Sequence, residues 1–423
     1  MTAAPIARQL LLAAALACSS ALYAQQPLPG GDLASLLSYA REHNPEFAAM
    51  RYEAQAAQER VEVAGALPDP RLRTTLSDIT RAGEQNPSLL PARVGRTSYQ
   101  WMQDVPWFGK RDLKREIAQQ DALGAKGRAQ GSWIELASRI KSTYAQLYVV
   151  QRSEQLVAEN LVLMAQLEQA ALARYAGGLS AQQDVIRAQV EQGGMSAEQI
   201  ALEMEHHHLH IRLNALLARP LDAPLAKAQA LPPLPAGSRL DWAALRERAA
   251  SNNPQLAAQQ ALLQSAQKNR DLVQKNRYPD FLVGLAPTQI GSKVKEWELM
   301  FELNIPLQQG TRGAQEREAQ ALLAAAQERS QAVLNQLFTE LTQSLSALEA
   351  ARRTEELTRT RLLPQAELTF QSALAAYETG KVDFATLLDA QKQIRSARLS
   401  QLKAQLEAQL QVAEIERILG EEI

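Results

Sequence analysis

A run of histidines is the stretch of this sequence whose residue types could bind a metal ion. Segment 203–213, "EMEHHHLHIRL", carries four of the chain's five histidines: His206, His207, His208 and His210. His206 and His210 are four residues apart, so on a helix both imidazoles lie on one face, at a spacing that can chelate a divalent cation. His206 also lies between Leu202 and Leu209 on the apolar side of that helix, which favours a role in helix packing. Both interpretations stay open here.

Other kinds of chemistry have no support in the sequence. There is no Ser/His/Asp arrangement, no metalloprotease motif and no Gly-rich phosphate loop, so we predict neither an enzyme nor a bound cofactor. The formal net charge of −1 provides no excess of cations to neutralise phosphates, which excludes nucleic acid as a partner. The function must therefore be sought in the elements that run along the chain.

Composition and the N-terminus indicate an exported, mainly helical protein. The chain of 423 residues is 46% apolar and only 5% aromatic, and its many Ala, Leu, Gln and Glu residues favour long helices. Residues 1–24 combine a charge at Arg8 with an apolar run and small residues before Gln25, as a secretory signal peptide does. A lipidated N-terminus at Cys18 is the alternative. No later run reaches about 18 apolar residues, so any membrane span would consist of strands.

The sequence repeats itself once. "YAGGLSAQQDVIRAQ" (175–189) has the internal spacing of "YETGKVDFATLLDAQ" (377–391), and "LASLLSYAREHNPEF" (33–47) matches "WAALRERAASNNPQL" (242–256). The matches occur in the same order in both halves, which indicates a tandem duplication. We therefore expect a first repeat over 25–217, a Pro- and Ala-rich linker over 218–241 and a second repeat over 242–423.

The hydrophobic period changes to two in four short segments, which predicts β-strands. These segments are residues 69–79, 97–106, 280–289 and 296–306. In the last of them, Trp297, Leu299 and Phe301 point to one face, while Glu298 and Glu302 point to the other. A hairpin half-buried on a soluble core would explain this alternation. However, the flanking helices are too polar and Ala-rich to supply a thick core, and about ten alternating residues suffice to cross a bilayer.

Four strands cannot close a barrel, because closure takes about eight, and an open edge in lipid leaves costly unpaired backbone groups. Three chains would supply twelve strands in a closed cyclic assembly. Two helical patterns, from Phe108 to Arg174 and from Gln309 to Ala376, each correspond to a length of about 100 Å. Shorter helices are expected to lie beside them, stacked end to end. The expected fold class is thus mainly α: a long α-helical coiled-coil barrel, with four strands per chain that close a 12-stranded membrane β-barrel in a trimer.

Taken together, the signal peptide, the tandem copies, one amphipathic hairpin per copy and the stretch "PWFGKR" (106–111) resemble the TolC-type outer-membrane efflux ducts. "VPWFGKR" (105–111) is most similar to the CzcC and CusC branch, which serves heavy-metal pumps of the resistance-nodulation-division class. The resemblance implies a homotrimeric, passive exit duct in the outer membrane of a Gram-negative cell, with a long periplasmic tunnel. It also implies opening by a periplasmic adaptor (membrane fusion) protein, which docks the duct onto a proton-driven inner-membrane transporter.

Two other functions remain open from the sequence. The duct could export drugs or organic solutes instead of heavy-metal cations, since its wall is polar and unselective. A secreted coiled-coil interaction protein with a soluble hairpin is a less favoured alternative of a different class.

The resemblance also assigns the repeated stretches to the periplasmic tips of the helices, about 175–184 and 377–386. It implies that the adaptor docks on four tip residues: Gly178, Leu179, Gly380 and Lys381. It places Asp184 and Tyr377 where neighbouring helices are tied together in the closed state, and Asp389 in a ring of carboxylates at the mouth.

The turn residues themselves have ordinary structural roles as well. Gly178 and Gly380 are expected to end helices, with Ser180 and Asp383 as caps of the returning helices. Two residues depart from the family pattern: Val382 replaces a tethering arginine and Thr386 replaces a second mouth aspartate. A salt-bridge lock of the family type is therefore not expected.

Overall fold

Long α-helices and one small sheet make up the part of the chain that the structure, a computed structural model, describes, which is residues 29–423. The first copy contains α1 (Leu33–His43), α2 (Pro45–Gly65), β1 (Arg71–Ser77), β2 (Arg96–Val105), α3 (Lys110–Ala176) and α4 (Gln182–Leu216). The second contains α5 (Trp242–Asn252), α6 (Pro254–Lys275), β3 (Phe281–Ile290), β4 (Lys293–Leu303), α7 (Gln309–Leu357), α8 (Leu363–Glu378) and α9 (Phe384–Leu419). The predicted signal peptide and the alternative at Cys18 lie outside the described residues.

Two asparagines end one helix and begin the next at equivalent places in the copies. Asn44 and Asn253 each accept a hydrogen bond from the backbone N–H three residues further on, over 3.0 and 2.8 Å. A proline follows each of them at the first helical position, where no donor is needed. Their amide nitrogens donate to the carbonyls of Leu216 and Ile418, over 2.9 and 2.8 Å. Each asparagine thus binds the start of its copy to the end of the last helix of that copy.

The four strands form one antiparallel sheet in the order β1-β2-β3-β4, with β1 and β4 at its edges. Trp101 pairs with Leu285 and Leu285 pairs with Leu299, so these side chains share one face. That face is open to the surroundings: Leu299 is 80% exposed, Trp297 67% and Trp101 60%. The predicted alternation is present, and the mainly helical class with four strands in one sheet is confirmed.

All four strands differ from the predicted ranges, β2 and β3 by only one residue at each end. β1 is shorter than 69–79 because Asp78, with φ +53°, turns the chain away from the sheet. β4 starts three residues earlier than 296–306 and ends at Leu303, since Ile290 pairs directly with Lys293 across a turn containing Gly291 at φ +64°. The tight turn leaves no gap before the pairing begins.

Two long helical segments run away from the sheet. α3 has 67 residues, a length of about 100 Å. Its counterpart in the second copy is helical over the whole expected range from Gln309 to Ala376, but it is not α-helical throughout. A five-residue π-helical segment, Thr358–Leu362, separates α7 from α8. The cause is Pro364, which lacks an N–H and whose ring clashes with the carbonyl four residues earlier.

Side-chain packing occurs in three apolar clusters along the helices. One joins α3, α4, α8 and α9 far from the sheet and includes Met164, Met195 and Phe384. The other two clusters lie where each copy begins and ends; one contains Tyr144 and the other contains Leu341. No helix among residues 29–423 is both long and apolar enough to cross a membrane.

Candidate functional site at the two helix turns

Two short turns connect antiparallel helices at the end of the molecule remote from the sheet. The first turn, residues 177–181, joins α3 to α4, and the second turn, residues 379–383, joins α8 to α9. α3 begins shortly after β2 and extends for about 100 Å. The first turn therefore lies about 100 Å from the strands. Both turns coincide with the repeated stretches of the sequence.

Each turn is closed by a glycine in the left-handed conformation, as expected: φ is +70° at Gly178 and +73° at Gly380. The N–H of the residue after the glycine donates to the carbonyl five residues earlier, over 2.8 Å in the first turn and 2.9 Å in the second. These bonds satisfy carbonyls that a helix end would leave unpaired. A Cβ added to Gly178 would meet no atom within 4 Å, so the backbone conformation, and not lack of space, requires glycine there.

The two returning helices begin differently, and one of the two predicted caps is wrong. Asp383 Oδ1 accepts hydrogen bonds from Thr386 N over 2.9 Å and from Thr386 Oγ1 over 2.6 Å, and these bonds lower the pKa of Asp383. α4 instead starts after Ala181, whose side chain cannot accept a bond. Ser180, the predicted cap, lies one residue too early, and its Oγ is 3.5 Å from the carbonyl oxygen of Ala171 on α3.

Arg174, in the last turn of α3, connects the two turns. Its Cζ lies 4.9 Å from the centroid of the Tyr377 ring, and its Nη1 donates to the carbonyl of Glu378 over 3.2 Å. That carbonyl is at the C-terminal end of α8, where the helix dipole favours a cation. Arg174 was not among the predicted site residues. The available signal was a basic residue directly before Tyr175, the tyrosine that aligns with Tyr377.

Tyr377 is almost fully buried between the turns, with 5% of its surface exposed. Its ring packs on Phe384 with centroids 5.5 Å apart. Burial raises the pKa of the Tyr377 hydroxyl, Asp184 adds to the increase and Arg174 opposes it. The hydroxyl has no hydrogen-bond partner among the described residues. The structure thus brings Asp184 and Tyr377 to the same end of the molecule without a hydrogen bond between them.

The other predicted site residues are accessible in the chain. Asp389 is exposed on α9 and does not join the contact between Arg174 and Tyr377. Leu179 is 70% exposed at the first turn, and Lys381 is exposed at the second. The surfaces expected to dock the adaptor are therefore open, and the roles assigned to these residues stay predictions.

Ion pairs join the two returning helices above the turns. Glu191 on α4 lies 2.9 Å from Lys392 and 3.5 Å from Arg395 on α9, and Arg395 also contacts Glu198 over 3.1 Å. Glu191 and Arg395 are largely buried, with side chains 16% and 22% exposed, so water screens this attraction less than at an open surface. The network holds α4 and α9 side by side.

The histidine cluster lies on α4, away from both turns. His206 is half-buried and its Nδ1 lies 3.0 Å from Glu154 Oε1 on α3, which agrees with a packing role. Burial lowers the pKa of His210, and the neighbouring His206, His207 and Arg219 lower it further. Residues 29–423 contain no group of three or more His, Cys, Asp or Glu side chains arranged to hold a metal ion.

Residues 36–219 and 245–421 match the family model described as "Outer membrane efflux protein". The chain belongs to this family. The resemblance inferred from the sequence is thereby confirmed, and this outer membrane efflux protein is a passive conduit and not an enzyme.

Individual relatives agree with this assignment. This efflux protein is 24% identical over 406 residues to the cobalt-zinc-cadmium resistance protein CzcC of Cupriavidus metallidurans. The aligned region covers 92% of this chain and 90% of the relative. Its fold is similar to that of VceC from Vibrio cholerae, with a TM-score of 0.77, 17% identity and coverage of 92% and 96% of the two chains. It is also similar to CusC, with a TM-score of 0.77, 17% identity and coverage of 92% of both chains.

Proposed function

We propose that this outer membrane efflux channel is the exit duct of a tripartite resistance-nodulation-division system that exports heavy-metal cations. The observation that carries the proposal is the sheet, which has an exposed apolar face and two free edge strands. Trp101, Trp297 and Leu299 form part of that face and are all at least 60% exposed. A face of this kind on a soluble protein would cost solubility, whereas lipid covers it at no such cost.

The free edges support a trimer. β1 and β4 each leave one side unpaired among residues 29–423, and an unpaired edge in lipid leaves backbone groups that cost several kcal/mol each. Pairing of β4 with β1 of the next chain, repeated around a threefold axis, would close a barrel of about twelve strands. The apolar face would then point outward to the lipid.

The remote turns support docking by a periplasmic adaptor. A separation of about 100 Å from the strands would carry the turns deep into the periplasm. Exposed Leu179 and Lys381 are then available to an adaptor, while Asp389 lines the mouth. Opening of the mouth by the docked adaptor would connect the duct to an inner-membrane transporter driven by protons.

The assignment of the cargo rests on the relative named for cobalt, zinc and cadmium resistance, which spans nearly the whole chain. Metal cations would be transient cargo, because the described residues assemble no group of three or more metal ligands. A channel of this type needs no tight binding site, since a cation held firmly in the wall would slow its own transfer.

Fractionation tests the membrane part of the proposal. The protein is expected in outer membranes after carbonate extraction, and as a trimer by native mass measurement in detergent. Leu299→Lys should reduce insertion, because a cation on the lipid face costs about 2–4 kcal/mol near the midplane. Glu298→Lys, on the opposite face of the same strand, is the matched control. A stable monomer released by carbonate would contradict the proposal and favour the secreted interaction protein.

Growth assays test the cargo. Cells that lack their own metal exporter are given this chain with the adaptor and transporter of a heavy-metal efflux system, and are challenged with zinc, cobalt and cadmium or with organic dyes and antibiotics. Tolerance to the metals, lost when the chain is deleted, supports metal export. Tolerance to the organic compounds alone would replace the metal assignment with a drug duct.

A further inference from the structure

The contact between Arg174 and Tyr377 is a one-sided link between the two turns. Arg174 belongs to the first copy, and the residue that matches it in the second copy is Ala376. The methyl side chain of Ala376 is too short and has no charge, so it cannot make the equivalent contact. The matching tyrosines also differ: Tyr377 is 5% exposed and Tyr175 43%. The link therefore exists once per chain and cannot be a by-product of the duplication.

The ring of Tyr377, and not its hydroxyl, makes this link. The guanidinium lies over the ring at 4.9 Å, within the range of a cation–π interaction. The hydroxyl is buried and has no partner among the described residues, so it contributes no bond to Asp184. The second anchor of Arg174 is the carbonyl of Glu378 at the end of α8. Both anchors belong to the hairpin formed by α8 and α9.

We propose that Arg174 is the positioning residue that holds the α8–α9 hairpin against the α3–α4 hairpin in the resting duct, through the Tyr377 ring and the Glu378 carbonyl. The inference rests on the proposed function for its consequence, which is a narrow mouth before the adaptor docks. Displacement of the guanidinium from the ring then frees the second hairpin to move.

Conductance of purified protein in planar bilayers, without adaptor, tests the proposal. Arg174→Gln and Tyr377→Leu are each expected to raise the resting conductance several-fold, and the double variant should add little to either, because both remove one interaction. Tyr175→Leu, which changes the matching but exposed tyrosine, is the control and should conduct like the wild type.

A second pair of variants separates the ring from the hydroxyl. Tyr377→Phe keeps the ring and is expected to keep the resting conductance, as is Asp184→Asn. If Tyr377→Phe and Asp184→Asn open the channel while Arg174→Gln does not, the closed state depends on a bond between Asp184 and the hydroxyl, and the proposal is wrong.

Hydrogen exchange gives a readout that does not depend on conduction. Arg174→Gln should speed amide exchange in peptides covering 377–386, because the second turn loses its anchor, and should leave 175–184 nearly unchanged. Unchanged exchange in 377–386 would overturn the link. A wild-type protein that forms no channel, but whose second turn is loosened by Arg174→Gln, would contradict the proposed function and leave the link standing.

Discussion

Gln391 Nε2 donates to Asn160 Oδ1 over 2.6 Å, with both side chains buried, so a polar bond joins α9 to α3 inside the apolar cluster above the turns. Asn160 Nδ2 in turn donates to the carbonyl of Leu156 over 2.6 Å. Buried amides are costly unless they are paired. This pair therefore fixes how the two helices align along their length, in addition to the apolar contacts around it.

Gln391→Leu should destabilise the protein by about 1–3 kcal/mol, because it leaves the buried Asn160 oxygen without its donor. Thermal unfolding followed by circular dichroism in detergent measures the change. The double variant Asn160→Leu with Gln391→Leu should cost less than the sum of the single variants, since it removes both polar groups. Additive losses would show that the two side chains do not interact.

Gly178→Ala should destabilise the first turn by about 1–2 kcal/mol, because its left-handed backbone strains any side chain. Gly193→Ala is the matched control: a Cβ at Gly193 also meets no atom within 4 Å, but that residue is helical. The control should be stabilised by about 0.5–1 kcal/mol. Adaptor binding, measured by pull-down from detergent, should weaken only for Gly178→Ala. Equal behaviour of the two variants would remove the special role of the turn.

Asp389→Asn should alter cation conductance and its block by multivalent cations, since Asp389 is exposed on α9 close to the second turn and would face the mouth in the proposed trimer. Asp222→Asn, in the linker, changes the same charge far from the turns and serves as control. Block by trivalent cations that is equally strong in Asp389→Asn and the wild type would place this carboxylate outside the mouth.

Replacement of all four clustered histidines by Ala should leave metal tolerance nearly intact. The cluster lies on α4 away from the turns, and the described residues form no group of three metal ligands. A modest loss of stability is expected, because His206 loses its contact with Glu154. Tolerance assays at equal protein level decide the matter. A large loss of tolerance with normally assembled protein would assign the cluster a part in transfer.

Stability should fall as the pH drops below about 6.5 through the titration of His210. Burial, and then the charges of His206, His207 and Arg219, lower the pKa of His210 from its ordinary 6.5. The unfolded chain then binds a proton at a higher pH than the folded chain, so protonation favours unfolding. Melting temperatures recorded from pH 8 to 5 test this. His210→Asn should flatten that pH dependence, and an unchanged slope would assign the effect to other groups.

Much of the fold could be predicted because it depends on local patterns. Asn-Pro at residues 44–45 and 253–254 combines a cap with a first-turn proline, and the strands alternate clearly around Trp297 and Leu299. The sequence also contains Pro364, but it does not show how a long helix accommodates a residue that has no backbone N–H. The helix continued through a π-helical segment, which the hydrophobic period does not reveal.

The candidate site was less predictable because it depends on contacts between distant residues. The sequence indicates the glycines, since left-handed turns require them. It does not indicate that Tyr377 is buried while Tyr175 is exposed, because this difference depends on packing between the two hairpins and not on the residues next to each tyrosine. Residue type predicts Ser180 as a cap, but α4 begins one residue later, after Ala181. Arg174 was not predicted because its two contacts, the Tyr377 ring and the Glu378 carbonyl, both belong to the other copy.

The bonds of Asn44 and Asn253 also bear on the order in which the chain acquires its structure. Asn44 closes onto Leu216 and Asn253 closes onto Ile418, so each closing contact spans 172 or 165 residues and stays within one copy. Contacts of such separation form slowly, because a long loop must be ordered first. The first of them becomes possible once the first half of the chain is present. The early half can therefore reach a self-contained arrangement, ready to serve as a template against which the later half assembles.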